Sequence, residues 1–181
     1  MEQNRNKTSG GSGRHLFLLL VATLLLTALD QWTKHLAVRF LKGKNPVILI
    51  KGVFELTYLE NRGAAFGLFQ NQRIPFLVLT MFVMAGILYV YVKIPKRGRF
   101  LPVRLISAGL LSGAAGNMLD RLFHGYVVDF FYFSLIDFPV FNVADIYVTV
   151  SMAILVILWI FYYKEEEFDF LFDRNKDRAG G

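Results

Sequence analysis

Asp129 in Val127-Val128-Asp129-Phe130 and Asp145 in Phe141-Asn142-Val143-Ala144-Asp145 are carboxylates set among apolar and aromatic residues. An ionised carboxylate beside that much hydrocarbon is costly, so each requires a partner, a proton or a reaction that uses it. Two carboxyl groups sharing one proton suit amide hydrolysis by water. One accepts the proton of the attacking water, and the other donates to the carbonyl oxygen. The chain has no cysteine, which excludes a thiol nucleophile, disulfides and thiolate metal sites. His15, His35 and His124 are scattered and form no zinc-binding spacing, so neither a metal nor a cofactor is implied.

Other polar residues compete for the same attention. Asp30 and Lys34 are four apart, so on a continuous helix they share a face and can pair, readable equally as an ion pair that stabilises the outer end of the helix or as a direct substrate contact. Asn117, Asp120 and Arg121 follow at i, i+3 and i+4, an arrangement that points them in one direction and pairs Asp120 with its neighbour Arg121. Spacing alone leaves three pairings of Asp120, Asp129 and Asp145 open. Asp137, next but one to Pro139, reads as a loop or cap residue. The segment Asn61-Arg62-Gly63-Ala64-Ala65-Phe66-Gly67 is equally readable as an ordinary turn or as a surface whose accessible backbone suits an extended peptide.

The elements that must position these groups belong to a membrane protein. Of 181 residues, 55% are hydrophobic and 15% aromatic, more apolar surface than one small soluble core hides. In such a chain a net charge of +6 reflects lipid headgroups and topology rather than nucleic acid. Four spans are predicted, at about 16–34, 74–92, 101–119 and 143–163. Asp30-Gln31-Trp32-Thr33-Lys34 follows the first apolar run where a cleaved leader would show small residues, so that run is retained. Four cations and no acid in the segment 93–99 put it on the cytoplasmic side, which makes both termini cytoplasmic. The seven Lys or Arg of the loop 30–73 oppose that orientation, but long loops weigh less.

Within the outer loop of about 35–73, Val47-Ile48-Leu49-Ile50 and Val53-Phe54-Glu55-Leu56-Thr57-Tyr58-Leu59 flank Gly52 and predict a strand pair. The second outer loop, about 120–142, is aromatic enough between 130 and 139 to lie on lipid, and a fold-back there would bring Asp129 to Asp145. Gly109, Gly113 and Asn117, with Ala108, Ser112 and Gly116, form small-residue rows for close helix packing. Residues 1–13 read as a disordered polar N-terminus, 14–163 as the membrane domain, and 164–181 as a charged cytoplasmic tail with an interfacial helix. The fold class is membrane all-α: a four-transmembrane-helix bundle with a small extracytoplasmic β-sheet platform.

Five blocks, taken in order, resemble the signature blocks of the bacterial lipoprotein signal peptidases, signal peptidase II. They are Asp30-Gln31-Trp32-Thr33-Lys34, Asn61-Arg62-Gly63-Ala64-Ala65-Phe66, Ser112-Gly113-Ala114-Ala115-Gly116-Asn117-Met118-Leu119-Asp120-Arg121 and the two aspartate blocks. The resemblance implies an intramembrane aspartic endopeptidase of the bacterial inner membrane, active near its outer face. Its partners would be membrane lipids and diacylglyceryl-modified prolipoproteins, cut before the modified cysteine. It implies Asp129 and Asp145 as the catalytic pair, and Asn61, Gly63, Asn117, Arg121 and Asn142 as substrate-binding. Asp30, Lys34 and Asp120 would support them. Ser112 departs from the family's frequent glycine, a small-for-small change. The alternative is a small proton-coupled transporter, whose charges would recur at several depths of the bilayer.

Overall fold

The structure is a computed structural model that describes residues 9–63 and 73–172. Its backbone is four long helices with a three-stranded sheet at one end: α1 (Ser9–Leu41), β1 (Val47–Ile50), β2 (Phe54–Asn61), α2 (Arg73–Lys93), α3 (Leu101–Phe123), β3 (Val127–Tyr132), α4 (Val143–Phe161) and a short α5 (Asp169–Phe172). Among the described residues, three helices are long and apolar enough to cross a membrane: α1 from Gly13 to Leu41, α2 and α4. The predicted third span is a 23-residue helix, α3, but it carries Arg104, Asp120 and Arg121 among small residues and falls short of that standard.

α3 is instead the axis of the molecule, packed against α1, α2 and α4. Its small residues determine how closely. A Cβ at Gly113 would lie 2.5 Å from the Ala144 carbonyl oxygen and 2.6 Å from Val148 Cγ2, and one at Gly116 would collide with the Asp30 carboxylate. Ser112, fully buried, donates to the Ala108 carbonyl at 2.6 Å and accepts no larger substitute without displacement of α1.

α1 differs from expectation at both ends. It begins at Ser9, inside the segment read as disordered, and continues past Lys34 to Leu41 because no breaker interrupts His35 to Leu41. Gly43, at φ +73°, then reverses the chain. The added turns have a use: Ala37 and Leu41 bury against Val128 and Phe130 and so fasten the sheet to the bundle.

The strand pair forms around Gly52, whose φ of +71° suits a three-residue hairpin loop. A third strand, β3, joins it antiparallel in the order β1-β2-β3. That strand was absent from the expectation, since Val127 to Tyr132 has apolar and aromatic residues on both sides of Asp129 without alternation. Gly125, at φ +81°, ends α3 with its N–H on the Arg121 carbonyl, and β3 follows directly. The predicted tail helix is reduced to a 3-10 turn at Glu165–Phe168 and the single turn of α5, with Phe168 buried against Phe100 and Trp159.

Gly113→Val should cost roughly 1–3 kcal/mol through overpacking, read as a lowered unfolding temperature in detergent. An unchanged temperature would mean that α3 and α4 do not meet at this point.

Candidate active site

Asp30, Asp120, Asp129 and Asn142 are at most 1% exposed and Lys34 is 2% exposed, so these five polar side chains are buried. Lys34 holds the lower layer of this cluster. Its ammonium lies 2.9 Å from Asp30 Oδ2 and 3.1 Å from Asp120 Oδ2, and donates to Asn117 Oδ1 at 2.9 Å. One buried cation thus faces two carboxylates, whose other lone pairs are met by backbone and amide donors. Asp30 accepts from the Ala144 N–H at 2.9 Å, and Asp120 accepts from the Val128 N–H at 3.0 Å. Gln31 donates to Asp120 Oδ1 at 2.9 Å and to the Gly116 carbonyl at 3.1 Å.

These bonds tie the first turn of α4 and the start of β3 to α1. The expected Asp30–Lys34 pair is therefore present, whereas the expected Asp120–Arg121 pair is not. Consecutive residues on a helix point about 100° apart, so Asp120 turns toward α1 and Arg121 away from it. Arg121 donates to the Gly63 carbonyl at 3.4 Å and to the Asn117 carbonyl at 3.5 Å, with its guanidinium 4.9 Å from the Phe76 ring centroid. Gln31 belonged to a recognised block, but nothing in its type or spacing distinguished it from a lipid-facing neighbour.

The upper layer holds Asp129 and Asp145. Asp145 is the third residue of α4 and closes a capping box with Asn142: its N–H donates to Asn142 Oδ1 at 3.0 Å, and the Asn142 N–H donates to Asp145 Oδ2 at 3.1 Å. Its other oxygen accepts from Asn117 Nδ2 at 2.8 Å. Asp129 accepts from Asn142 Nδ2 at 2.6 Å and from Asn61 Nδ2 at 2.8 Å. Asn142 also donates to Asn117 Oδ1 at 3.1 Å, so two asparagines bridge the two aspartates.

Backbone pairing explains how these side chains meet. Asn61 of β2 lies opposite Val127 of β3, two residues before Asp129, so Asn61 and Asp129 are diagonal neighbours on one face. A one-residue register shift in β2 between Leu56 and Leu59 sets that alignment. The connection after β3 folds back as the sequence suggested. Phe141 exchanges backbone hydrogen bonds with Phe131 at 2.8 and 3.0 Å, which brings the next residue, Asn142, beside Asp129. Phe54, Phe131, Phe133 and Phe141 pack around this return, with centroids 4.7 to 5.9 Å apart. Asp137 closes a 3-10 turn at φ +48° and accepts from the Tyr132 hydroxyl at 2.7 Å, a loop role.

Asp129 and Asp145 both line a cavity of about 1100 Å³, together with Asn61, Gly63, Asn117 and Arg121. Ile146, Thr149 and Val150 continue its wall along α4, on a helix long and apolar enough to meet lipid. Burial pushes the Asp129 carboxyl up to about 7, and the neighbouring Asp145 carboxylate adds to the rise; the Asn61 and Asn142 amides oppose it. A carboxylic acid is thus retained near neutral pH beside a second carboxyl group. Of the predicted glycine-rich segment, Asn61, Arg62 and Gly63 border the cavity, while residues 64–67 lie outside the described residues.

The family model described as signal peptidase (SPase) II matches residues 22–161. Over 140 residues the chain is 46% identical to the lipoprotein signal peptidase of Streptococcus thermophilus (strain CNRZ 1066), covering 77% of this chain and 90% of that one. To that of Caldanaerobacter subterraneus subsp. tengcongensis it is 42% identical over 145 residues, covering 80% and 97%. Among solved structures, a bacterial membrane enzyme is similar with a TM-score of 0.73 at 26% identity, covering 82% of this chain and 92% of that one.

Lys34→Met should destabilise the protein by roughly 3–5 kcal/mol, because it leaves two buried carboxylates without their cation. Thermal unfolding in detergent measures this. A loss below about 1 kcal/mol would put the pair in the class of solvent-screened surface bridges.

Proposed function

The chain belongs to the signal peptidase II family, and from that premise we propose that it removes signal peptides from prolipoproteins by an aspartic mechanism in which Asp129 and Asp145 activate water. One observation carries the mechanistic part: the two carboxyl groups are joined through Asn117 and Asn142 and open onto one cavity. In this reading Asp129 holds the shared proton at neutral pH and Asp145 is the base. Water attacks the scissile carbonyl carbon and passes a proton to Asp145, while Asp129 protonates the carbonyl oxygen. The gem-diol collapses as Asp145 returns its proton to the leaving amine and Asp129 recovers one from the diol.

The cavity suits a substrate that is half lipid. Its asparagine end offers amides to an extended peptide, and Arg121 stands where it can hold a peptide carbonyl. Its α4 wall leads toward hydrocarbon, which fits a diacylglyceryl-modified cysteine entering in the plane of the bilayer. In this arrangement α3 is the third of four crossings, packed against α1, α2 and α4, and both termini are cytoplasmic with the sheet at the outer face. Packing of its Ser, Ala and Gly rows against its neighbours supports that crossing despite its polar residues. The proposed roles are catalytic for Asp129 and Asp145, substrate-binding for Asn61, Gly63, Asn117, Arg121 and Asn142, and supporting for Asp30, Lys34 and Asp120.

Asp129→Asn and Asp145→Asn should each lower cleavage of a lipidated precursor by roughly 10²–10⁴-fold, with unfolding temperatures close to the parent. Substantial turnover in either folded variant would sink the aspartic assignment. Comparing lipidated with unlipidated precursor in the same assay tests the substrate class.

The pH dependence has a definite sign. Because Asp129 must carry a proton and titrates at about 7, the cleavage rate should fall as the pH rises through that value. A rate that is flat from neutral pH to well above it would remove Asp129 as the proton donor.

A further inference from the structure

A second polar cluster lies at the other end of the bundle. Asp30 and Lys34 lie fifteen or more residues along α1 from His15, and Asn117 lies thirteen along α3 from Arg104. At 1.5 Å per residue these spacings put His15 and Arg104 about 20 Å from the aspartates. A small recess of about 20 Å³ is lined there by His15, Leu16, Tyr91, Val92, Ile94, Lys96 and Arg104. Its lining cations, Lys96 and Arg104, come from the loop after α2 and from α3, and α1 adds the His15 imidazole. Arg14, Lys96 and Arg104 all lie within Coulombic reach of His15, and among the described residues no carboxylate lines the recess.

The recess is built rather than incidental. Arg104 is only 8% exposed and is fastened by a hydrogen bond from its guanidinium to the Pro95 carbonyl at 2.6 Å. The Tyr91 hydroxyl donates to the His15 carbonyl at 2.8 Å, locking α2 to the start of α1. Ile94 and Tyr91 are buried beneath, whereas Leu16 and Val92 are exposed apolar side chains at its edge. Cations gathered on a partly buried surface repel one another unless an anion joins them. A phosphodiester supplies that charge with several acceptor oxygens, and Arg and Lys are its usual partners. The recess admits little more than one phosphate oxygen, so the rest of the group must lie outside, where Leu16 and Val92 can meet acyl chains.

We propose that the recess formed by His15, Lys96 and Arg104 binds the phosphate of an anionic phospholipid, at the bundle end opposite the aspartates. The apolar edge favours a lipid over free phosphate, since a free ion gains nothing from Leu16 or Val92. The site is separate from the peptidase chemistry, and its variants leave precursor cleavage in detergent intact.

The test uses the full chain in nanodiscs and in neutral detergent at 0.15 M salt, where diffuse surface attraction is screened beyond about 8 Å. Phosphatidylglycerol, phosphatidylcholine and inorganic phosphate are titrated separately, with lipid retention read by native mass spectrometry and stability by the unfolding temperature. Phosphatidylglycerol should be retained and should raise the unfolding temperature, with phosphatidylcholine doing neither. Lys96→Gln, at an exposed position that the fold tolerates, should weaken phosphatidylglycerol binding about fivefold, and Arg104→Gln at least as much. Arg97→Gln removes an exposed cation of the same loop that does not line the recess, and should leave affinity within about twofold. Equal retention of the two lipids, stabilisation by inorganic phosphate matching that by phosphatidylglycerol, or equal losses at Arg97 and Lys96 would each overturn the proposal.

Discussion

The Lys34 ammonium, enclosed between Asp30 and Asp120, is the interaction on which the remaining architecture depends. Its removal from water is unfavourable, and so is that of each carboxylate; the three are tolerable only together and only with the remaining lone pairs occupied. That requirement recruits the Ala144 and Val128 amides and the Gln31 side chain. The result is that α1, the end of α3, the start of β3 and the start of α4 share one electrostatic centre. Asn117 extends the centre upward, since its carbonyl accepts from Lys34 and its amide donates to Asp145. The charge layer and the dyad are therefore one network joined through a single side-chain amide.

The small residues of α3 make this centre geometrically accessible. Without a side chain at 116, the Asp30 carboxylate can lie against the α3 backbone, and without one at 113 the first turn of α4 can approach it. Packing and electrostatics are thus coupled: close approach lets the charges meet, and the charges hold helices that hydrocarbon alone would not draw together. The same coupling explains why α3 is less apolar than its neighbours. Its surface is turned toward protein, and its polarity is spent on contacts within the bundle.

Much of this was legible in the chain. The i, i+4 relation of Asp30 and Lys34 allowed their pairing on a helix, and the β-branched runs around Gly52 read as a strand pair. The return of the chain after Phe130 was foreseeable from the need to bring Asp129 toward Asp145. Three features were not legible, each for a physical reason. β3 has apolar residues on both faces and so lacks the alternation that marks a half-buried strand. The partner of Asp120 is 86 residues distant in sequence, whereas Arg121 is adjacent, and proximity in the chain misdirects when consecutive helical residues diverge. The sequence from His35 to Leu41 permits a longer α1, but the sheet residues against which Ala37 and Leu41 bury lie far along the chain, so the use of those turns was not visible locally.

The capping box at the start of α4 has a further implication. Asn142 and Asp145 cap the first turn of α4 with the same side chains that link it to Asp129 and Asn117. Helix ends are where local opening is easiest, well below the free energy of unfolding the whole molecule. In this protein such opening would also dismantle the bridge between the aspartates. The geometry between the two carboxyl groups thus depends on one helical turn as well as on the bundle as a whole.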